Sequence, residues 1–144
     1  MKDRNATIEE ARYLKSIYKT EDAIELLSGL ISPGQIDEEV QNELADCYIQ
    51  AGDLDAAAST YSTLLRMKPE SILYRIKLML TTYRSKDYKS SSELGLSIIK
   101  RDTIPAIVSL TADSFNMMAM PDSALIYYNM YIGMNPANPS VVSK

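Results

Sequence analysis

Carboxylate pairs are the side chains in this sequence best placed to do chemistry, since two acids held together can divide the roles of general acid and general base. Three such pairs occur, Glu9-Glu10, Glu21-Asp22 and Glu38-Glu39. Each sits where a helix is expected to begin, and there the helix dipole already accounts for acidic residues. Histidine is absent from all 144 residues. That removes the commonest general base, the commonest metal ligand, and any Ser-His-Asp or Cys-His arrangement. The five glycines, Gly29, Gly34, Gly52, Gly95 and Gly133, are scattered, so no phosphate-cradling loop is formed. Cys47 is the only cysteine. It excludes an intramolecular disulfide and falls on an apolar helix face, where a buried packing role is expected. The expectation is a chain with no catalytic residue, no cofactor and no metal site, which is not an enzyme.

The remaining composition narrows the partners. A formal charge of -4, without a clustered Lys/Arg face, argues against nucleic acid. No run approaches the length of a membrane span, and no apolar stretch of a signal peptide follows Met1-Lys2-Asp3-Arg4-Asn5. Direct membrane insertion is not expected. The location expected of the chain as given is cytoplasmic, or the periplasm or cell envelope if Met1 replaces a removed export signal. With 46% hydrophobic and 24% charged residues, the chain can bury a core of ordinary size, and one domain over 1–144 is expected.

The elements that must position any site come from an internal repeat. Two segments align without a gap at a separation of 67 residues, twice about 33.5. Leu44-Ala45-Asp46-Cys47-Tyr48 lies over Thr111-Ala112-Asp113-Ser114-Phe115, then Ala57 over Ala124, Tyr61 over Tyr128 and Pro69 over Pro136. Between them Lys86-Asp87-Tyr88 stands where Gly52-Asp53-Leu54 stands, and Ser91 where Ala57 stands. Ahead of them, Ala23, Leu27 and Leu30 precede Ala57, Tyr61 and Leu64 by one period. The units are 4–37 (degenerate), 38–71, 72–104 (degenerate) and 105–138, with 139–144 as the start of a truncated fifth.

Each unit carries two helical patterns. Helices are expected at roughly 7–18, 20–31, 38–51, 54–67, 71–85, 88–101, 105–118 and 121–134. Thr7 with Glu10 reads as a capping box, Asp37, Asp53 and Asp87 as N-caps, and Pro121 as a first-turn residue. No segment alternates as a strand would, so the class is all-α. Most of the ten tyrosines fall at helical spacing and are expected to pack, as are Met117, Met118, Met120, Met130 and Met134.

These positions resemble the tetratricopeptide repeat, W-x2-L-G-x2-Y, then A-x3-F, then P, in a unit of 34 residues. Residues 38–71 match at Leu44, Ala45, Tyr48, Gly52, Ala57, Tyr61 and Pro69, with Gln41 in place of the large aromatic. Residues 105–138 match at Ala112, Phe115, Ala124, Tyr128 and Pro136. Residues 72–104 depart, with Met79 at a small position, and Thr82 and Gly95 where aromatics are usual. The resemblance implies an α-solenoid of about four antiparallel helix hairpins wound as a right-handed superhelix. It also implies a protein-interaction scaffold whose first helices line a concave groove for a peptide or helix of a partner.

Carried over by position, the groove residues are Asn42, Asp46, Ile49 and Gln50, then Ile76, Leu80, Tyr83 and Arg84, then Ser109, Asp113, Asn116 and Met117. A one-residue slide of the fifth helix would instead put Leu80 and Tyr83 inside. Asp46 and Asp113 would repel the acidic chaperone tails that the family's best-known peptide clamp accepts. The expected ligand is therefore a neutral or basic segment with one large apolar residue. Two other readings stand beside this one: a sensory or regulatory arm of a signalling protein with its effector beyond residue 144, and an exported cell-envelope assembly protein. A homodimer through an uncapped last hairpin, with Tyr127, Met130 and Tyr131, is also open.

Overall fold

The structure, a computed structural model, describes residues 3–134. Eight α-helices are present among them: α1 Arg4–Ser16, α2 Thr20–Ser28, α3 Glu38–Ala51, α4 Leu54–Met67, α5 Ile72–Arg84, α6 Tyr88–Ile99, α7 Pro105–Met117 and α8 Pro121–Met134. The class is all-α, and the one β feature among the described residues is an isolated bridge between Ser32 and Gln35. Pro136 and the expected fifth unit at 139–144 lie outside the described residues.

Several helices start on a side-chain cap, whereas α2 and α7 have none. Asp37, Asp53 and Asp87 accept from the backbone N–H of Val40, Ala56 and Ser90, as expected of N-caps. The first helix departs from expectation. It begins at Arg4, where the Asp3 carboxylate accepts from the Ala6 N–H at 2.9 Å. Thr7 is no capping box but lies a turn inside, buried, with its hydroxyl donating to the Asp3 carbonyl at 3.0 Å. Both residue types cap helices, and the earlier one takes the role by adding a turn. α2 ends at Ser28, earlier than the apolar pattern suggests.

The turn inside every hairpin is built the same way. One residue in each has positive φ: Tyr18 (62°), Gly52 (80°), Lys86 (69°) and Ala119 (58°). The N–H of the residue after it reaches back five positions, Lys19 to Leu14 (2.8 Å), Asp53 to Tyr48 (2.9 Å), Asp87 to Thr82 (2.8 Å) and Met120 to Phe115 (2.9 Å). This is a Schellman C-cap, which glycine adopts without strain. Three of the four hairpins keep the geometry with a residue that has a Cβ.

The chain divides into two compact units, Met1–Tyr74 and Arg75–Lys144. In the first, α2 packs on both α1 and α3, and α3 on α4. Ile8, Ala11, Ala23, Leu27, Val40, Leu44 and Cys47 form one buried cluster. Cys47 is thus a packing residue, and burial pushes its thiol up. Ala45, Ala57 and Leu64 are fully buried, and Tyr61 nearly so.

In the second unit α7 packs on both α6 and α8. The departures from the repeat pattern here compensate one another. A Cβ on Gly95 would lie 2.0 Å from Thr111 Oγ1 and 2.8 Å from Met79 Cε. Met79, large where a small residue is usual, fills space at the residue that is small where an aromatic is usual. Ser91, standing where Ala57 stands, is fully buried and shares a hydrogen bond of 2.7 Å with the buried Ser114 hydroxyl.

Candidate protein-binding face

Helix spacing of i, i+4 and i+7 or i+8 places each first-helix set on one side of its helix. In the first unit that side belongs to α3 and is largely engaged within the molecule. Arg4 binds Asp37 (2.5 Å) and Glu39 (2.7 Å), Arg12 binds Glu39 (2.9 Å) and Glu43 (2.8 Å), and Lys15 lies 3.8 Å from Glu43 and 3.7 Å from Asp46. The Arg4 hydrogen bond is the main cause holding the Asp37 carboxyl down at about 2.

Asn42 donates to the Tyr74 hydroxyl at 2.8 Å, and that hydroxyl in turn donates to Glu38, which Lys68 approaches at 3.0 Å. Gln50 accepts from the Thr20 hydroxyl at 2.5 Å and donates to the Lys15 carbonyl at 3.2 Å, tying α3 to the first hairpin. Ile49 is half-buried. Asn42, Asp46 and Gln50 therefore all have partners inside their own unit.

The second unit differs. Leu80 is 45% and Met117 54% exposed, and Arg84 and Asn116 are exposed, while Ile76, Tyr83, Ser109 and Asp113 are half-buried. α5 has not slid by one residue, because Met79 is fully buried and Thr82 nearly so. Tyr83 meets Tyr88 edge to face with ring centroids 5.4 Å apart. The Tyr128 hydroxyl, from α8, donates to Asp113 Oδ1 at 2.5 Å. That bond, with some burial, pushes the Tyr128 phenol up to about 12. The Tyr83 phenol is also raised, first by burial and then by the Asp113 charge.

Tyr128 belongs to a second helix and so falls outside the first-helix positions of the repeat. Its signal was nonetheless in the chain: Tyr61 follows Asp46, and Tyr128 follows Asp113, by the same 15 residues. Burial and then the Asp46 charge push the Tyr61 phenol up to about 12. In the unit between, both members change together, to Leu80 and Gly95. Where the tyrosine is lost, so is its carboxylate, and an apolar side chain is left on the outward face.

The packing expectation holds for eight of the ten tyrosines, which are buried or half-buried, but needs correction for the methionines. Tyr61 and Tyr74 are buried, but Tyr13 and Tyr18 are exposed, and so are Met117, Met120 and Met130. α8 also leaves Leu125, Ile126 and Ile132 exposed. Helical spacing reports that a side chain shares a face with others. It does not report whether another helix covers that face.

Hairpins with this pattern and an outward first-helix face define a helical-repeat scaffold. The sequence profile of the tetratricopeptide repeat family matches residues 18–79. Among solved structures, the fold is similar to MamA AMB-1 (TM-score 0.75, 15% identity, covering 94% of this chain and 75% of that one). It is similar also to MamA MSR-1 (0.72, 17%, 96% and 78%) and to a double mutant of MamA RS-1 (0.77, 11%, 92% and 75%). Identities this low carry the fold alone. No curated protein sequence matches the chain. Residues 18–79 thus resemble the tetratricopeptide repeat, a family whose fold is generally a non-enzymatic scaffold for protein–protein interaction.

Proposed function

We propose that this protein is an adaptor or assembly scaffold that holds a peptide or a single helix of a partner protein on the outward faces of its first helices. The observation that supports the reading is in the second unit. Leu80 and Met117, at partner-facing positions of the repeat, are exposed apolar side chains, while Met79 and Thr82 beside Leu80 are buried. Exposed apolar side chains framed by polar ones are a common form of binding surface. Ile76 and Tyr83 extend the apolar strip, and Asp113 and Asn116 border it. In the first unit, Ile49 is the apolar member of the proposed set, among polar residues that are already hydrogen-bonded or ion-paired.

The test is to immobilise the protein and its Leu80→Asp/Tyr83→Asp variant, both checked for helicity, and compare what each retains from a cell extract. Retention by the wild type alone is expected. Equal retention by both would sink the assignment of the face.

A further inference from the structure

The strongest unexplained feature of the second unit is the surroundings of Asp113. Its counterpart in the repeat, Asp46, has the Lys15 ammonium 3.7 Å away, whereas among the described residues no cationic group lies within ion-pair distance of Asp113. One acceptor position of the Asp113 carboxylate is taken by the Tyr128 hydroxyl at 2.5 Å. An ionised carboxylate has about four such positions, so capacity remains for another donor. Tyr83 stands near enough for that charge to act on its phenol, and its ring is steadied by Tyr88 at 5.4 Å. A half-buried negative charge beside phenol rings favours a cation, and a weakly hydrated planar one above all.

Resting on the reading of this face as a partner-binding surface, we propose that it recognises an arginine of the partner segment, received by Asp113 and Tyr83, with a large apolar side chain of the same segment on Leu80 and Met117. Guanidinium is the cation that suits this setting. It bonds a carboxylate through two N–H groups and stacks on aromatic rings, where an ammonium acts as a strongly hydrated point charge. Leu80 occupies the repeat position that carries aspartate in the units before and after it, so an apolar seat and an anionic seat fall in the same row of neighbouring first helices. The apolar side chain is therefore expected close to the arginine, two residues away in an extended segment or three to four in a helical one. Arg84 is exposed on the same side and disfavours a second basic residue next to the first. Acidic segments meet Asp113 and are rejected.

The experiment uses the full chain against arrays of short random-sequence peptides, followed by fluorescence anisotropy of the best binders. Enriched peptides should carry arginine close to Leu, Ile, Met or Phe. Replacing that arginine with citrulline, its neutral isostere, should weaken binding roughly tenfold, the scale of a partly desolvated cation–aromatic contact. Asp113→Asn, which keeps an acceptor for Tyr128, should weaken the arginine peptide similarly and leave the citrulline peptide unchanged. Lysine in place of arginine should bind less tightly than arginine.

Binders that lack arginine, prefer acidic residues or ignore citrulline overturn the arginine seat. If those same binders still weaken with Leu80→Ala, the binding face itself survives. Binders insensitive to Leu80→Ala and Asp113→Asn alike, or no binders at all, overturn the proposed function as well. The citrulline comparison needs no protein variant, so it decides the matter even if a substitution disturbs folding.

Discussion

The two units share one hairpin design but use their polar side chains differently. In the first, arginines and a lysine of α1 meet acids at the start and along the side of α3, and Asn42 and Gln50 are bonded to Tyr74, Thr20 and the Lys15 carbonyl. In the second, Asp113 of the corresponding face accepts from Tyr128, and the apolar members Leu80 and Met117 are exposed. The difference shows that a repeat position names a direction in space and not a role. The same register that offers Leu80 outward in the second unit offers, in the first, an aspartate beside Lys15.

The comparison can be broken from either side. The largest effect is expected in the first unit, where Tyr61 is 4% exposed. Tyr61→Ala should cost about 3–5 kcal/mol, as for other buried aromatics. Circular-dichroism melts check it, and an unshifted transition would remove Tyr61 from the core.

In the second unit, Gly95→Ala places a methyl 2.0 Å from Thr111 Oγ1 and should cost about 1–3 kcal/mol by overpacking. Adding Thr111→Ala should recover part of that loss. A urea-denaturation double-mutant cycle without coupling between the two sites would show that the close approach is absent.

Lys86 and Gly52 share a turn geometry but not a residue type. Lys86→Gly should stabilise by about 1 kcal/mol and Gly52→Ala destabilise by a similar amount, the left-handed conformation being costly for a residue with a Cβ. Opposite shifts of the denaturation midpoint are the expected result, and shifts of the same sign would contradict the shared turn.

The smallest effect concerns the ion pairs of the first unit. Arg4 holds the folded pKa of Asp37 down at about 2, below its unfolded value of about 4. The pair's contribution is therefore present above about pH 4 and lost as pH falls from there toward 2. Asp37→Asn, which can still cap α3, should flatten that acid limb. Added salt should shrink the difference between wild type and variant, since both partners are partly exposed.

Much of the fold was legible because it rests on local chemistry. Asp37, Asp53 and Asp87 announce helix starts by hydrogen bonds three residues long, and the recurrence of Ala45, Ala57 and Tyr61 at Ala112, Ala124 and Tyr128 fixes the hairpin design at a distance any alignment can see. Two caps competing for one helix, Asp3 and Thr7, were not separable by pattern, because both residue types satisfy the same N–H groups. Positive φ at Tyr18, Lys86 and Ala119 had no glycine to mark it, and emerges only from the register of the neighbouring turns.

The candidate face was legible in direction but not in state. The amino-acid sequence by itself determined which side chains share one side of each first helix, since helical period depends on spacing alone. Tertiary structure alone decided which of them are already engaged: that Lys15 would reach Asp46, that Tyr74 would take Asn42 and that Tyr128 would bond Asp113. It likewise decided that Met79 would fill the room Gly95 leaves. Partnership depends on side chains converging from segments far apart in the chain, and that convergence is a property of the packed helices, carried by no single stretch of residues.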